Sequence, residues 1–444
     1  GNLTIADGRK LIVNGNLTNN GTISSGTGTG SIDIKGNWTN NSTFTPGAGT
    51  VTFNGVSQSV MNNETFNDIV VGSTTYLDID SKTINARKIT INAAGKLRLD
   101  NALDVINMTG AYSSSFYLIN YGILTQTNGT LNISSSGLRL DGTAQYNISG
   151  GSLYCNQWLY NNSGSPSINI SGGTLNIDRF PLYCGTCTHS GGVITNRGYY
   201  SENSPSPSGG VYHGSGTAEM IFTGTSTTGL RYLYLFNNSV FNNIRINAPS
   251  QTIYIDATNG SHSFDIGGNM VITAGTFNSN SRSINIAGNW TNNGTFTPGT
   301  GTVTFNGTIG TSTITTGGIA AGKQFYNLTI NSSNNVDLCN APAGSAPIWI
   351  NNNFTITACN QFNCNDNDMT VGGNWTFNGG QFNRGNSTVT LTGTSKEILG
   401  TQNTIFRNLV ITGSYTHKAT RFTTMDYNGV GGDITISSSA SLSV

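Results

Sequence analysis

Short stretches of alternating apolar and polar residues recur along the chain. In residues 50–53 (TVTF) and 283–286 (SINI), every second side chain is apolar and β-branched residues are frequent. Alternation with a period of two, bounded by Gly and Asn, predicts short β-strands. No stretch carries the 3.6-residue period of an amphipathic helix, so the pattern predicts an all-β protein.

The predicted strands return at a nearly constant spacing. Residues 36–55 (GNWTNNSTFTPGAGTVTFNG) and 288–307 (GNWTNNGTFTPGTGTVTFNG) are identical at 18 of 20 positions, and the Gly-Asn dipeptide of Asn16 returns 21 residues later at Asn37. Self-similarity at such a period is typical of solenoids, whose repeats pack only on their neighbours. The sequence therefore predicts a parallel β-helix, or β-solenoid, with coils of about 21 residues and roughly 21 coils in all.

The coil accounts for the residue types. We expect inward Val, Ile, Leu and Phe to form stacked ladders, and Gly and Asn to turn the corners because both tolerate left-handed backbone angles. A charge repeated at one coil position would lie beside its own copies and be repelled, whereas Thr, Ser and Asn can hydrogen-bond along the stack. The polar, uncharged surface is thus expected of this architecture.

Differences between repeats divide the predicted solenoid into four sections of one continuous rod. Repeat sections cover 1–100, 201–345 and 346–444, and a divergent section rich in Tyr and Cys covers 101–200.

The two ends of the chain share a pattern. Residues 433–444 (DITISSSASLSV) resemble residues 2–13 (NLTIADGRKLIV), and in each the two apolar motifs lie eight positions apart. An open solenoid end is an unpaired sheet edge. We therefore expect end-to-end self-association or continuation in a longer chain. Because the chain begins with Gly1 and shows no signal peptide, we interpret it as a mature or excised piece.

Charge is scarce and balanced. Twenty basic residues face 20 acidic ones, and charged residues make up 9% of the chain. This balance offers no electrostatic footprint for nucleic acid. No apolar run approaches the roughly 20 residues that cross a bilayer, so we expect no membrane insertion.

Six cysteines form two groups along the chain. Their even number and loop-like settings suit disulfides in an oxidising compartment. Cys184-Gly-Thr-Cys187 also fits a free thiol pair, or half of a zinc site that lacks its partner ligands. The disulfide candidates are Cys155, Cys184, Cys187, Cys339, Cys359 and Cys364.

No catalytic or cofactor pattern stands out. Acidic residues are scattered, and Asp78 and Asp80, on one strand face, fit a solvated surface. Asp366 and Asp368 are calcium-ligand candidates, although the surrounding turn lacks the Gly and distal Glu of a dedicated loop. We therefore expect neither an enzyme nor a cofactor.

Aromatic residues are the best binding candidates, because rings with a polar tip suit sugar stacking or protein contact. They lie in or beside the divergent section, where the alternative is that they widen a thin core. The candidates are Tyr117, Tyr121, Tyr154, Trp158, Tyr160, Tyr199, Tyr200, Tyr232 and Tyr234.

Residues 288–307, and the GGTLNI pattern at 172–177, carry a resemblance to known proteins. They resemble repeats of large secreted bacterial cell-surface proteins, namely adhesin- or haemagglutinin-like parallel β-solenoids of Bacteroidota type. This resemblance implies an extracellular structural or adhesive role, as a surface fibre or filament segment. The alternatives are a carbohydrate-binding adhesin module with surface glycans as partners, and a polysaccharide-degrading β-helix enzyme.

Overall fold

The chain forms a parallel β-solenoid. The computed structural model describes residues 1–110, 118–133, 137–202, 209–226, 229, 231–236, 238–257, 262–339, 347–418, 422–424 (backbone only) and 432–443. Over these residues it makes about 18 coils with a repeat of about 22 residues, and it contains no helix. Consequently, the described part of the chain offers no helix that could cross a membrane. The predicted fold class is confirmed.

The chain divides into two compact units, Gly1–Ile221 with Thr225–Leu230, and Phe222–Gly224 with Arg231–Val444. The strands of the first unit are β1 Asn2–Thr4, β2 Lys10–Val13, β3 Leu17–Asn19, β4 Thr22–Ser24, β5 Ser31–Ile34, β6 Trp38–Asn40, β7 Thr43–Thr45, β8 Thr50–Phe53, β9 Ser57–Ser59, β10 Glu64–Val71, β11 Tyr76–Asp78, β12 Thr83–Ile91, β13 Lys96–Leu99, β14 Val105–Met108, β15 Leu118–Asn120, β16 Ile123–Gln126, β17 Thr130–Ile133, β18 Leu138–Gly142, β19 Gln145–Ile148, β20 Ser152–Gly164, β21 Ser167–Ile170, β22 Thr174–Pro181, β23 Thr186–His189, β24 Val193–Ser201 and β25 Val211–Gly214.

Strand β26, Glu219–Phe222, lies at the boundary. The strands of the second unit are β27 Tyr232–Tyr234, β28 Val240–Phe241, β29 Asn243–Ile255, β30 Phe264–Ile266, β31 Met270–Asn278, β32 Ile284–Ile286, β33 Trp290–Asn292, β34 Thr295–Thr297, β35 Thr302–Phe305, β36 Ser312–Thr315, β37 Asn327–Asn331, β38 Val336–Leu338, β39 Ile348–Ile350, β40 Phe354–Ala358, β41 Phe362–Asn363, β42 Met369–Val371, β43 Trp375–Phe377, β44 Phe382–Asn383, β45 Thr388–Leu391, β46 Lys396–Leu399, β47 Thr404–Phe406, β48 Asn408–Ile411, β49 Ser414–His417, β50 Phe422–Thr424, β51 Ile434–Ile436 and β52 Ser441–Ser443.

Coil length varies more than the sequence motifs suggested. Thr83 pairs with Val105, 22 residues later, whereas Thr302 pairs with Asn327, 25 residues later. Longer coils reduce their number, so the described residues make about 18 coils instead of the expected 21.

Each unit is held together by inward apolar ladders. In the first unit, in-register pairing builds one buried column across β5, β8, β10, β12, β15, β18 and β20. Its members are Ile32, Val51, Ile69, Ile89, Leu118, Leu138 and Leu159. Burial of a side chain of this size contributes about 1.5–3 kcal/mol, so the column is a main source of stability.

The repeated Trp and Phe positions form aromatic clusters in the core. In the second unit, the ring of Trp290 lies 4.8 Å from that of Phe296 and 5.3 Å from that of Phe325. Trp38 contacts Phe44 and Phe66 at 4.8 and 5.2 Å in the first unit. The Trp and the later Phe therefore recur together because they pack on each other across neighbouring coils.

The Gly-Asn dipeptides have a different role from the one we expected. Asn16 and Asn37 do not adopt left-handed backbone angles. Instead, the Oδ1 of Asn16 accepts the backbone N–H of Asn37 at 2.9 Å, and the Oδ1 of Asn37 accepts that of Ser59 at 2.9 Å. The glycine leaves room for this ladder, because a Cβ on Gly36 would lie 2.4 Å from the Oδ1 of Asn16.

The structure shifts the match between residues 2–13 and 433–444 by one strand. Parallel pairing leads from β45 through β48 to β51. In the same way it leads from β8 through β10 to β12. In the first unit, however, it is β2 that leads through β5 to β8, whereas β1 leads through β4 to β7. Ile434–Ile436 therefore corresponds to Lys10–Val13 and not to Asn2–Thr4.

Candidate functional site

Consecutive strands of the first unit bend at one corner. Strand β20 departs from regular pairing between Cys155 and Trp158, and β22 does so between Ile177 and Arg179, opposite a matching bend in β24. Such irregularities re-aim side chains and are frequent next to functional sites. The corner thus presents side chains in positions that a regular coil does not offer.

Four aromatic rings contact one another beside this corner. The ring centroid of Trp158 lies 6.3 Å from those of Tyr160 and Tyr199, and the centroid of Tyr160 lies 5.8 Å from that of Tyr183, all edge to face. Trp158, Tyr183 and Tyr199 are half-buried, whereas Tyr160 is buried. Burial raises the pKa of Tyr160 to about 12, so its hydroxyl stays protonated at neutral pH.

Two arginines flank one buried carboxylate at the same corner. The guanidinium carbon of Arg179 lies 4.7 Å from the ring centroid of Trp158, which is a cation–π contact. The Nε atoms of Arg179 and Arg197 lie 3.7 and 3.8 Å from the carboxylate of Asp178, which is 1% exposed. Asp178 also accepts a hydrogen bond from the hydroxyl of Ser226 at 3.1 Å. We call Trp158, Tyr160, Tyr183, Tyr199, Asp178, Arg179 and Arg197 the aromatic–arginine patch.

A second Arg–Asp pair nearby in sequence has a structural role. Asp141 accepts hydrogen bonds from Arg139, from Asn162 at 2.8 Å and from Ser163 at 2.7 Å. Three donors on a buried carboxylate fix the coil-to-coil contact of β18 and β20.

The remaining aromatic candidates lie in several settings. Tyr121 and Tyr154 are 37% and 47% exposed, Tyr154 on the regular half of β20. In the second unit, Tyr232 stacks on Tyr254 at 5.5 Å and contacts Tyr234 at 6.0 Å. Tyr117 lies outside the described residues. The structure therefore brings Trp158, Tyr160 and Tyr199 together and leaves the others apart from them.

Tyr200 points into the core and joins a buried polar cluster. Its hydroxyl donates to the Oε1 of Glu202 at 3.0 Å, and its ring contacts that of Tyr212. The hydroxyl of Tyr212 shares a hydrogen bond with the Nδ1 of His189. Burial lowers the pKa of His189 to about 4, so the imidazole is neutral at pH 7.

One group of acids converges, although the sequence suggested that acids were scattered. Ligand oxygens of Asp78, Asp100 and Asp104 lie within 4.8 Å of one another, the only such group of three among the residues described. Arg98 already pairs with Asp78 at 2.6 Å and with Asp100 at 2.9 Å. Asp104 accepts backbone N–H bonds from Ser81, Asp100 and Asn101. The cluster is thus partly neutralised by Arg98, and its Asp104 stabilises a turn through backbone hydrogen bonds.

The calcium-ligand candidates are engaged by the next coil. The Oδ1 of Asp366 accepts the N–H of Asn386 at 2.6 Å, and the Oδ1 of Asp368 accepts that of Thr388 at 2.7 Å. These bonds place both carboxylates in turn-to-turn ladders.

All six cysteines are free thiols in the structure. Cys155, Cys184, Cys187 and Cys364 are buried, whereas Cys339 and Cys359 are half-buried. Burial raises the pKa of Cys155 to about 11 and that of Cys364 to about 12, so neither thiol is activated at neutral pH.

The charged half of the patch was missed by sequence reasoning, which weighed only aromatic residues. A signal was present: Asp178-Arg179 is a charged dipeptide inside a strand of a chain with 9% charged residues. In such a chain, a charged side chain on a strand of the solenoid needs an oppositely charged group nearby.

Comparison with known proteins gives no relative: no protein-family model, no curated protein and no solved structure matches this chain.

Proposed function

We propose that this protein is an extracellular β-solenoid with a structural and adhesive role, and that it contacts surface carbohydrate through the aromatic–arginine patch. Residues 288–307 support the extracellular setting, since they resemble secreted bacterial surface repeats of adhesin or haemagglutinin type.

The partly exposed rings of Trp158 and Tyr199 carry the adhesive part of the proposal. They lie beside polar and charged groups on a wall of paired strands, so they are held in place before any ligand arrives. Aromatic faces flanked by hydrogen-bonding groups suit sugar rings, which have apolar faces and polar edges. Rigid presentation reduces the ordering cost of binding.

No catalytic role is part of this proposal. The converging acids Asp78, Asp100 and Asp104 are occupied by Arg98 and by backbone N–H groups. Release of shortened oligosaccharides by the purified protein would contradict the proposal and favour the polysaccharide-degrading alternative.

Glycan-array screening of the full chain, followed by calorimetry on the best ligand, tests the adhesive role. Trp158→Ala should abolish or strongly weaken binding, because it removes the central ring of the patch. Tyr154→Ala is the matched control, since this exposed tyrosine lies on the same strand before the bend. Absence of binding to any carbohydrate, or equal binding by Trp158→Ala and the parent chain, would refute the role.

Stacking of copies end to end is the structural part of the proposal, and the phase of the end coils supports it. In-register continuation of the solenoid would place Ile434 and Ile436 of one copy on Leu11 and Val13 of the next. Ile434 and Ile436 are each 45% exposed on a strand whose described partner lies on one side only. A second copy that covers them would extend the apolar ladder and pair the open edge of the strand.

Electron microscopy and light scattering over a concentration series test this stacking. Ile434→Lys should suppress assembly, because it introduces a charge into the ladder. Ile309→Lys is the control, because Ile309 is 91% exposed and not in a strand. Monodisperse particles of the parent chain at every concentration would exclude self-stacking.

A further inference from the structure

We propose that the aromatic–arginine patch selects acidic sugars, whose carboxylate or sulfate group binds Arg179 and Arg197 while the sugar ring packs beside the indole of Trp158. This inference rests on the proposed function, because it names the class of carbohydrate that the same patch takes.

The corner carries more basic than acidic side chains. Asp178 is the only acidic residue paired with Arg179 or Arg197 among the residues that the structure describes, so two guanidinium groups share one carboxylate. The neighbouring Arg139 is matched one to one by Asp141 and adds no net charge. The corner therefore keeps one excess positive charge, which favours an anionic ligand.

The hydrogen-bonding capacity of the corner is not filled. The Nε–carboxylate distances of 3.7 and 3.8 Å are too long for hydrogen bonds. Asp178 Oδ1, Arg179 Nε and Arg197 Nε are buried without a hydrogen-bond partner in the described structure. Unsatisfied buried polar atoms are uncommon in native proteins and call for an explanation. Binding of an anionic ligand that draws the two guanidinium groups together would explain why these atoms lack partners in the free protein.

The two arginines are accessible to a ligand, whereas the carboxylate between them is not. The side chains of Arg179 and Arg197 remain 15% and 22% exposed, whereas that of Asp178 is 1% exposed. The carboxylate therefore lies beneath the two guanidinium groups and orients them from the protein side. Guanidinium forks bind carboxylate and sulfate oxygens with two parallel hydrogen bonds.

The indole ring of Trp158 lies next to one of the two guanidinium groups. Because Arg179 lies over Trp158 at 4.7 Å, a sugar that packs beside the indole brings a substituent within reach of the guanidinium. Arg197 donates a hydrogen bond from its Nη2 to the Oδ1 of Asn156 at 3.0 Å. The patch thus combines an apolar surface with a cationic edge.

Calorimetry tests the inference with the full chain and three probes of equal length: a uronic acid oligosaccharide, a sulfated oligosaccharide and a neutral one. We expect the acidic probes to bind at least about tenfold more tightly than the neutral one, with an affinity that falls as salt rises. Arg197→Gln and Arg179→Gln should each remove most of that difference. Arg197→Lys keeps the charge but loses the forked guanidinium, so its preference for acidic probes should lie between those of the parent chain and Arg197→Gln.

Arg87→Gln is the matched control, because Arg87 is an ion-paired and exposed arginine of the same unit. Thermal unfolding of each variant checks the fold. Equal affinity for acidic and neutral probes, with binding still lost in Trp158→Ala, would overturn the acidic selectivity and leave carbohydrate adhesion standing. Absence of binding to all three probes would overturn the acidic selectivity, and together with a glycan array on which nothing binds it would overturn carbohydrate adhesion as well. Preference for the uronic acid or for the sulfated probe identifies the anionic group.

Discussion

The side-chain Oδ1 of Asn353 accepts the backbone N–H of Asn374 at 2.9 Å, one coil further along the solenoid. Asn374 repeats the contact with the N–H of Glu397 at 2.9 Å. An asparagine at this coil position, in the dipeptides Asn352-Asn353 and Gly373-Asn374, therefore fastens its turn to the next, and the 21 residues from Asn353 to Asn374 are the length of one coil.

This ladder predicts a measurable loss of stability on removal of one amide. Asn353→Ala leaves the N–H of Asn374 without its acceptor and should lower the free energy of unfolding by about 1 kcal/mol. Urea unfolding followed by circular dichroism measures this loss. Asn20→Ala is a control, because Asn20 is exposed and, among the described residues, its Oδ1 accepts only from the exposed side chain of Asn41. An equal loss in both variants would contradict a specific role of the backbone contact.

The glycine of the Gly36-Asn37 dipeptide, where the same contact is made with Asn16, provides a second, sharper test. Gly36→Ala would place a Cβ 2.4 Å from the backbone N and the Oδ1 of Asn16, whereas a Cβ on Gly15 meets nothing within 4 Å. Neither glycine has a positive φ, so the two substitutions differ mainly in the space available. Gly36→Ala should cost about 1–3 kcal/mol, and Gly15→Ala should be close to neutral. Similar unfolding midpoints for the two variants would show that close stacking is not what requires glycine.

The aromatic clusters should dominate the stability of the second unit. Trp290 is 1% exposed and contacts two Phe rings, so Trp290→Ala should cost about 3–5 kcal/mol. Trp349 is half-buried on an outward position of β39, and Trp349→Ala should cost no more than about 1 kcal/mol. Denaturant titrations of the two variants compare these costs directly. Comparable losses would refute the assignment of Trp290 to the core.

Period and alternation in the sequence were sufficient to predict the solenoid, because each coil must bury the same inward positions. They were insufficient to predict its corners. The bends at Trp158 and Arg179 add residues without a turn motif, and they bring together side chains whose spacing carries no signal. The carboxylate cluster is an intermediate case: Asp78 pairs directly with Arg98, so a strict coil of 20 residues would have revealed that contact. Asp104 reaches this cluster only because of the shape of a turn.

The buried His189 predicts that the protein loses stability in acid. Its pKa is about 4 in the folded state because burial disfavours the charged imidazole, against an ordinary value of 6.5. The unfolded chain therefore binds the proton first as pH falls. The stabilising contribution is complete above pH 6.5 and is lost as the pH falls through 4. A difference of this size corresponds to about 3 kcal/mol.

Urea unfolding of the parent chain between pH 7.5 and 4 measures this loss. His189→Gln should flatten the dependence of the unfolding free energy on pH, whereas His213→Gln, at an exposed neighbouring position, should leave it unchanged. Identical profiles for all three proteins would place the acid sensitivity elsewhere.

The cysteines predict a thiol count that also tests the disulfide hypothesis. With all six thiols free and four of them buried, a thiol-specific reagent should react slowly with the native chain, first at Cys339 and Cys359. Burial raises the pKa of Cys359 as well, so even this reaction should be slower than that of an exposed thiol. In denaturant without reductant, six equivalents should react at once. Fewer than six, restored to six by a reductant, would mean that the chain isolated from its natural compartment carries disulfides.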